Sequence, residues 1–166
     1  MNRQNIIAGI IAIVIIVGGF LFVRSRTSGL AQPIAPETEN AKNEEQVVRE
    51  IAIDFGSKMK NVLLTEPKSE QDKMIRENYA DLISADLMTA FMSDPIKAPG
   101  RLNASKWPDR IEILEITKDE EAAYEVQARV IEVNDAGPVS QYGIALKLRN
   151  RDGKWLITGF SKAILN

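Results

Sequence analysis

The chain of 166 residues contains no cysteine and no histidine. Without cysteine it cannot form disulfides, thiolate zinc sites, iron–sulfur ligands, a cysteine nucleophile or the lipid-modified N-terminal cysteine of bacterial lipoproteins. Without histidine it also lacks the commonest general base, so serine–histidine triads and the zinc-binding helices of metalloproteases cannot be built. Any catalysis would depend on carboxylates, lysine, tyrosine or serine, and the sequence predicts no metal and no cofactor.

An excess of one charge is also missing, because 21 Lys and Arg residues stand against 23 Asp and Glu residues, for a formal net charge of −2. Nucleic-acid-binding domains usually carry a basic patch or an arginine-rich run, and neither occurs here. We therefore expect no nucleic-acid partner. The length leaves room for one domain of average size with appendages.

One long uncharged apolar run lies near the N terminus, from Ile6 to Val23, and reads IIAGIIAIVIIVGGFLFV. As a helix it would be roughly 27 Å long, which is close to the thickness of the hydrocarbon core of a bilayer. A helix is also the only conformation in which a single segment satisfies its own backbone polar groups in lipid. Residues 6–23 are therefore predicted to be a transmembrane anchor that makes the membrane a partner, preceded by a short tail at residues 1–5.

A cleaved signal peptide is the alternative interpretation, with Arg3 as its positive residue and residues 29–31 as its cleavage site. The apolar run exceeds the usual signal-peptide core of about 7–15 residues, and Arg24 and Arg26 precede that site, so a retained signal anchor fits better. Arginines on both sides leave the orientation undecided by the positive-inside rule. The short tail favours an extracytoplasmic C-terminal domain on a single-pass protein of the cell membrane.

Residues 24–43 have the composition of a flexible linker, because Pro, Ser, Thr, Asn and small residues are mixed there without periodicity. Periodic sequence begins at residue 44, and residues 44–166 are predicted to form the folded domain. Its first helix carries one apolar stripe, from which Gly56 and Lys58 are excluded. The residues of the stripe are Val48, Ile51, Ala52, Phe55, Met59, Val62 and Leu63.

Two further helices are predicted before a crossing that is rich in Pro and Gly. The second runs from Ser69, a possible N-cap, through Tyr79 to Ile83. Ser84 is then expected to cap a third helix, which ends before Pro95. The residues of this helix that should face inward are Leu87, Met88, Phe91 and Met92.

Beyond Asp109 the apolar period changes from about 3.6 to 2, which predicts four strands: RIEILEIT, AYEVQARVIEV, QYGIALKLR and KWLITGFSKAI. Short turn-rich connections, the last with Asp152-Gly153, predict antiparallel hairpins. The neighbouring apolar residues Leu114 and Ile116 indicate a bulge in the first strand. The predicted fold class is α+β, with two to three helices packed on a four-stranded antiparallel sheet.

Residues 44–166 resemble the nuclear-transport-factor-two-like superfamily, in which a curved sheet wraps around helices as a cystatin-like cone. The resemblance rests on helices followed by four strands, on the segment YADLISADLMTAF and on the closing DGKWLITGF. Its membrane-tethered members include the periplasmic scaffold domain of bacterial type IV secretion machines and Gram-positive conjugation proteins, with a similar order of anchor, linker and domain. Other members are isomerases, dehydratases and small-ligand binders, so the fold does not decide function.

The candidate pocket residues are Tyr79, Tyr124, Glu132, Tyr142 and Trp155. The resemblance implies a carboxylate base with hydroxyl donors inside the cone of the isomerase members. Structural explanations compete, because Glu132 lies near the end of its strand, where it can reach water, and the aromatic residues suit the core and its rim. The sequence offers no catalytic residue with a spacing that requires chemistry.

Two other acids also have simpler explanations, since the bulge turns Glu115 away from the inner face and Asp86 suits a solvated or capping position. The favoured function is a binding or scaffold domain that contacts other membrane proteins or itself in a membrane-associated assembly. The alternatives are a sensor for a small ligand and a carboxylate-dependent isomerase-like or dehydratase-like enzyme. Convergent acids and hydroxyls at the mouth of the cone would favour the enzyme, whereas a filled interior and an apolar outer patch would favour a partner surface.

Overall fold

The computed structural model of the chain describes residues 36–119 and 122–163. Three helices precede a four-stranded antiparallel sheet, which confirms the α+β class and the order of the elements. The helices are α1 (Pro36–Lys58), α2 (Lys68–Tyr79) and α3 (Ala85–Ser93), with short 3₁₀ turns at Met59–Asn61 and Pro95–Lys97. The strands are β1 (Trp107–Lys118), β2 (Tyr124–Asn134), β3 (Gly137–Arg151) and β4 (Lys154–Ala163).

The predicted tail (1–5), the predicted anchor (6–23) and residues 24–35 of the predicted linker lie outside the described residues. Within the described residues, no helix is both long enough and apolar enough to cross a membrane.

Helix α1 begins at Pro36, eight positions before the predicted start of the domain at residue 44. The part of the predicted linker from residue 36 to residue 43 is therefore helical. The sequence is compatible with this, since proline suits the first position of a helix. Apolar periodicity does not mark this start of the helix, because the first turns carry no apolar stripe.

The predicted stripe of α1 faces the core, with Val48, Ala52 and Phe55 fully buried. Gly56, which was expected to lie off the stripe, is buried as well. A Cβ at position 56 would lie 2.6 Å from Cγ2 of Ile111, so the helix approaches β1 more closely than any side chain would allow. The absence of a side chain is what makes Gly56 part of the packed face.

Helix α2 ends at Tyr79, and not at Ile83 as the apolar pattern indicated. Residues 82–84 instead form a parallel bridge with β4, in which the N–H of Ile157 donates to the carbonyl of Leu82 and the N–H of Ser84 donates to the carbonyl of Ile157, each at 2.9 Å. These bonds replace the helical ones, although Leu82 and Ile83 are still buried. The N-cap of α2 is Pro67, so Ser69 is not the cap.

The predicted cap of α3 is confirmed, because the Ser84 hydroxyl accepts a hydrogen bond of 3.3 Å from the N–H of Leu87. Phe91 is buried, and the other three residues expected to face inward pack against the core as partly buried side chains. A short sequence signal therefore placed this helix correctly.

The sheet is a meander with the strand order β1-β2-β3-β4. The bulge predicted in β1 is confirmed, since the pairing with β2 shifts between Ile113 and Glu115. Leu114 at this point is 53% exposed, whereas Ile113 and Ile116 both pack against the core. One extra residue thus keeps both isoleucines on the inner face.

Aromatic side chains pack against one another between the helices and the sheet. The rings of Phe55 and Tyr79 have centroids 4.8 Å apart, and Phe91 lies 6.4 Å from Tyr79 and 6.1 Å from Phe160. These aromatic residues join α1, α2, α3 and β4 in one contiguous core.

Candidate functional site

The five candidate pocket residues do not form one site. Tyr124 and Glu132 stand eight positions apart on β2, which is roughly 26 Å at 3.3 Å per residue, so they belong to opposite ends of the sheet. Trp155 lies with Tyr124, and Tyr142 shares a surface cleft with Glu132. Tyr79 is buried in the core.

The first group, Tyr124 with Trp155, joins α1 to the sheet. The two rings meet edge to face with centroids 5.2 Å apart. The Tyr124 hydroxyl donates to the carboxylate of Glu44 at 3.3 Å, and Lys118 pairs with the same carboxylate at 2.7 Å. Burial raises the pKa of Tyr124, so its hydroxyl stays protonated. These contacts have a structural purpose, since they hold the N-terminal half of α1 against β1 and β2.

Tyr79 supports the second group from inside the core. Its hydroxyl donates a hydrogen bond of 2.7 Å to the carbonyl of Pro99, and burial raises its pKa well above the ordinary value. The next residue, Gly100, lies so close to the end of the first helical segment that a Cβ there would be 2.5 Å from the carbonyl oxygen of Val62. The hydrogen bond from Tyr79 and the close contact with Val62 therefore fix the position of the segment that contains Pro99 and Gly100.

The second group lines a surface cleft of about 340 Å³, which lies between the segment of Pro99 and Gly100 and the ends of β2, β3 and β4. We call it the Glu132 cleft. Its lining combines one carboxylate, two hydroxyls, two lysines and apolar side chains. The lining residues are Pro99, Gly100, Leu102, Lys106, Glu132, Ser140, Gln141, Tyr142, Phe160 and Lys162.

Two neighbours of Glu132 in this cleft bind the same oxygen of its carboxylate. The Lys106 ammonium pairs with its Oε2 at 2.5 Å, and the Ser140 hydroxyl donates to the same oxygen at 2.6 Å. Partial burial raises the pKa of Glu132, but these two hydrogen bonds and the charges of Lys106 and Lys162 outweigh burial and lower it. A carboxylate held in this way is ionised at neutral pH and is a weak proton acceptor.

Tyr142 stands beside Glu132 as a protonated phenol. Burial, followed by the negative charge of Glu132, raises the pKa of Tyr142 to about 12. The ammonium of Lys162 lies 5.7 Å from the centroid of the Tyr142 ring, which is within the range of a cation–π contact. The ring and the ammonium together form one wall of the cleft.

A second groove of about 340 Å³ adjoins the Glu132 cleft and shares Phe160 and Lys162 with it. Its other lining residues are Ile96, Lys97 and Ser161. We call it the Ile96 groove. Ile96 is 69% exposed and Leu102, on the rim of the neighbouring cleft, is 53% exposed. The two hollows thus form one surface with lysines and exposed apolar side chains.

No motif or apolar period in the sequence marks Lys106, Ser140 or Lys162. The position of Ser140 could have been predicted, because a hairpin between the second and third strands places it opposite Glu132. Lys106 lies in an irregular segment and Lys162 on another strand, so no local pattern connects them with Glu132. The two remaining acids, Asp86 and Glu115, are both exposed, in agreement with the simpler explanation.

Within residues 36–119 and 122–163, no group of three or more acidic side chains could hold a metal ion. The cleft can therefore offer hydrogen bonds, one paired carboxylate and lysine charge to a ligand. No protein-family model, curated protein or solved structure matches the chain.

Proposed function

We propose that this protein is a membrane-anchored extracytoplasmic domain that acts by binding, as a scaffold or recruited member of a membrane-associated assembly. The observation that carries the proposal is the state of Glu132, the carboxylate of the cleft. Lys106 and Ser140 both donate to Oε2 of Glu132, and these contacts lower the pKa of the carboxylate. General base catalysis works best with a pKa near the working pH, so this arrangement suits recognition better than proton transfer.

The packing of aromatic side chains in the core supports the same proposal. A catalytic cone would need an internal hollow for its substrate, whereas the rings of Phe55, Tyr79 and Phe91 pack together between the helices and the sheet. The exposed side chains Ile96 and Leu102 lie outside, at the two adjoining hollows. Apolar groups at a polar rim are a common feature of surfaces that bind another protein.

The predicted anchor, residues 6–23, supplies a reason for binding beside a membrane. A tether confines the domain and raises its effective concentration for other membrane proteins, which strengthens weak contacts without any new interaction. A catalyst of small diffusible molecules gains nothing comparable. The resemblance to membrane-tethered scaffold domains of the nuclear-transport-factor-two-like superfamily agrees with this arrangement.

Chemical crosslinking in native membranes tests the proposal. The full chain is compared with a version that carries a protease site within residues 24–35 and is cut in place. We expect discrete heteromeric or self-crosslinked species for the anchored chain that weaken after release, because release lowers the effective concentration. A domain that remains monomeric and without partners in both states would overturn the proposal.

A small-ligand site or a carboxylate-dependent enzyme is the second candidate, and the convergence of Glu132, Ser140 and Tyr142 on one cleft favours it. Replacing the carboxylate by an amide, Glu132→Gln, separates the two functions. An enzyme would lose turnover, whereas a binding domain would keep its crosslinked species. A ligand sensor would instead show a change in ligand affinity with no turnover in either form.

A further inference from the structure

The last part of β4, residues 159–163, is an open edge of the sheet. β4 is the final strand of the order β1-β2-β3-β4. Residues 82–84 cover its edge at Ile157 only. Among the described residues, no further backbone segment forms hydrogen bonds with the outer edge of residues 159–163. An added strand would therefore find backbone donors and acceptors there.

Residues 159–163 lack the features that usually prevent another strand from pairing with an open sheet edge. In natural proteins, proline, bulges or charged side chains on an edge strand prevent an incoming strand from pairing with it. Residues 159–163 contain no proline, and the irregularity of β4 lies before them, where the pairing with β3 shifts between Lys147 and Leu148. The one charged side chain of residues 159–163 is Lys162, whose ammonium lies over the ring of Tyr142 and lines both hollows.

The Ile96 groove runs beside this open edge and would receive a side chain of an added strand. Phe160 and Ser161 of β4 line it together with Ile96. At 69%, Ile96 is the most exposed of the large apolar side chains in the part of the chain that the structure describes. Covering it would remove apolar surface from water, which is favourable by about 25 cal/mol per Å².

The charge of the surface defines the occupant further. Lys97 pairs with Asp94 at 3.1 Å, and Lys106 pairs with Glu132. Lys162 forms no ion pair within residues 36–119 and 122–163. Its charge acts on Glu132 from a longer distance, and its ammonium lies between the two hollows. An acidic residue on the incoming segment would complement it.

We propose that residues 159–163 bind an extended segment of a partner protein, which pairs with β4 as a fifth strand. The segment places an apolar side chain on Ile96 and a carboxylate beside Lys162. This inference rests on the proposed binding function and names the kind of partner surface involved. A second copy of this chain fits less well, because a two-fold pairing of β4 with β4 would bring two Lys162 residues together across the interface.

Site-specific photocrosslinking in the full chain, in native membranes, tests the proposal. A benzophenone amino acid replaces Ser161 on the open edge, and a control chain carries it at Ser57, on the exposed side of α1. Each crosslinked peptide is sequenced by mass spectrometry. We expect an adduct from position 161 and not from position 57, and we expect the captured peptide to come from another protein and to contain Asp or Glu near the crosslink.

Charge reversal provides the specific control. Lys162→Glu should reduce the adduct from position 161 by about tenfold, since like charges face each other across the interface. Lys154→Glu makes the same change at the exposed far end of the same strand and should leave the adduct unchanged. Circular dichroism of both variants checks that they remain folded.

Three results would overturn the proposal: a captured peptide of this chain itself, a captured segment without acidic residues, or equal losses in the two charge variants. Failure of this inference is distinguishable from failure of the proposed function. If general crosslinking of the anchored chain yields discrete species while position 161 yields none, binding occurs at another surface. If neither yields an adduct, the binding function itself is wrong.

Discussion

The hydroxyl of Tyr79 donates a hydrogen bond of 2.7 Å to the carbonyl oxygen of Pro99, so a residue in the middle of the core holds the wall of the Glu132 cleft. Tyr79 is fully buried, and its ring also contacts Phe55 and Phe91. The shape of the surface hollow therefore depends on the packing beneath it.

Replacing this tyrosine, Tyr79→Phe, should lower the free energy of unfolding by about 1–3 kcal/mol, because the Pro99 carbonyl loses its buried donor while the ring packing is kept. Urea unfolding at neutral pH measures the loss. Tyr142→Phe is the matched control, since the Tyr142 hydroxyl forms no hydrogen bond within the described residues. Equal losses in the two variants would contradict the structural importance of the Tyr79–Pro99 bond.

Residues 36–166 should fold without the preceding segment, because their core is contiguous. In this domain Phe55→Ala should cost about 3–5 kcal/mol, the usual loss when a large buried ring is truncated. Ile53→Ala, on the same helix but 50% exposed, should cost far less. Denaturant unfolding compares the two, and a loss below about 1 kcal/mol for Phe55→Ala would mean that the register of α1 is wrong.

Gly56→Ala should destabilise the domain even though alanine is the better helix former. The new methyl group would lie 2.6 Å from Cγ2 of Ile111, and such overpacking costs about 1–3 kcal/mol. Ile111→Ala removes the clashing atoms, so the double variant should be more stable than the sum of the single losses predicts. Strictly additive losses in thermal unfolding would argue against the close contact of α1 with β1.

Glu132 should contribute a pH-dependent part of the stability. Its pKa in the folded domain is lowered from the ordinary value of 4.5, so the contribution is present above that value and is lost as the pH falls through the lower folded pKa. The difference in unfolding free energy between the natural protein and Glu132→Gln should thus shrink from pH 7 to acid pH. Glu66→Gln, at an exposed position, is the control. A difference that stays constant with pH would refute the ion pair with Lys106.

The predicted orientation of the membrane anchor can be tested with a single thiol, because the chain has no cysteine of its own. Ser69 is exposed in the first turn of α2, so Ser69→Cys places a reporter on the domain without disturbing the core. A membrane-impermeant maleimide should label it in intact cells. Labelling that begins only after lysis would place the domain in the cytoplasm and overturn the extracytoplasmic assignment.

The α+β class, the four strands, the bulge in β1 and the Ser84 cap could be predicted from the sequence alone. Each depends on a local property: an apolar period of about 3.6 or 2, a pair of neighbouring apolar residues, or a capping side chain next to its helix. These signals act over a few residues, and the contacts of the folded state agree with them.

Other features required the tertiary structure because they depend on residues that are distant in sequence. Helix α2 ends at Tyr79 since Leu82 and Ser84 bond to Ile157 of β4. Gly56 is buried because Ile111 lies directly opposite it. The apolar periodicity of the sequence predicts neither the end of α2 nor the burial of Gly56.

The candidate site shows the same division. The sequence indicated Glu132 and Tyr142 as candidates for a pocket, on the basis of strand parity and aromatic character. Only the fold brought Lys106 and Lys162 to them and placed Tyr124 at the opposite end. Parity determines which face of a strand a side chain occupies, whereas the neighbours that set its charge and pKa come from other elements, and their approach is decided by packing in three dimensions.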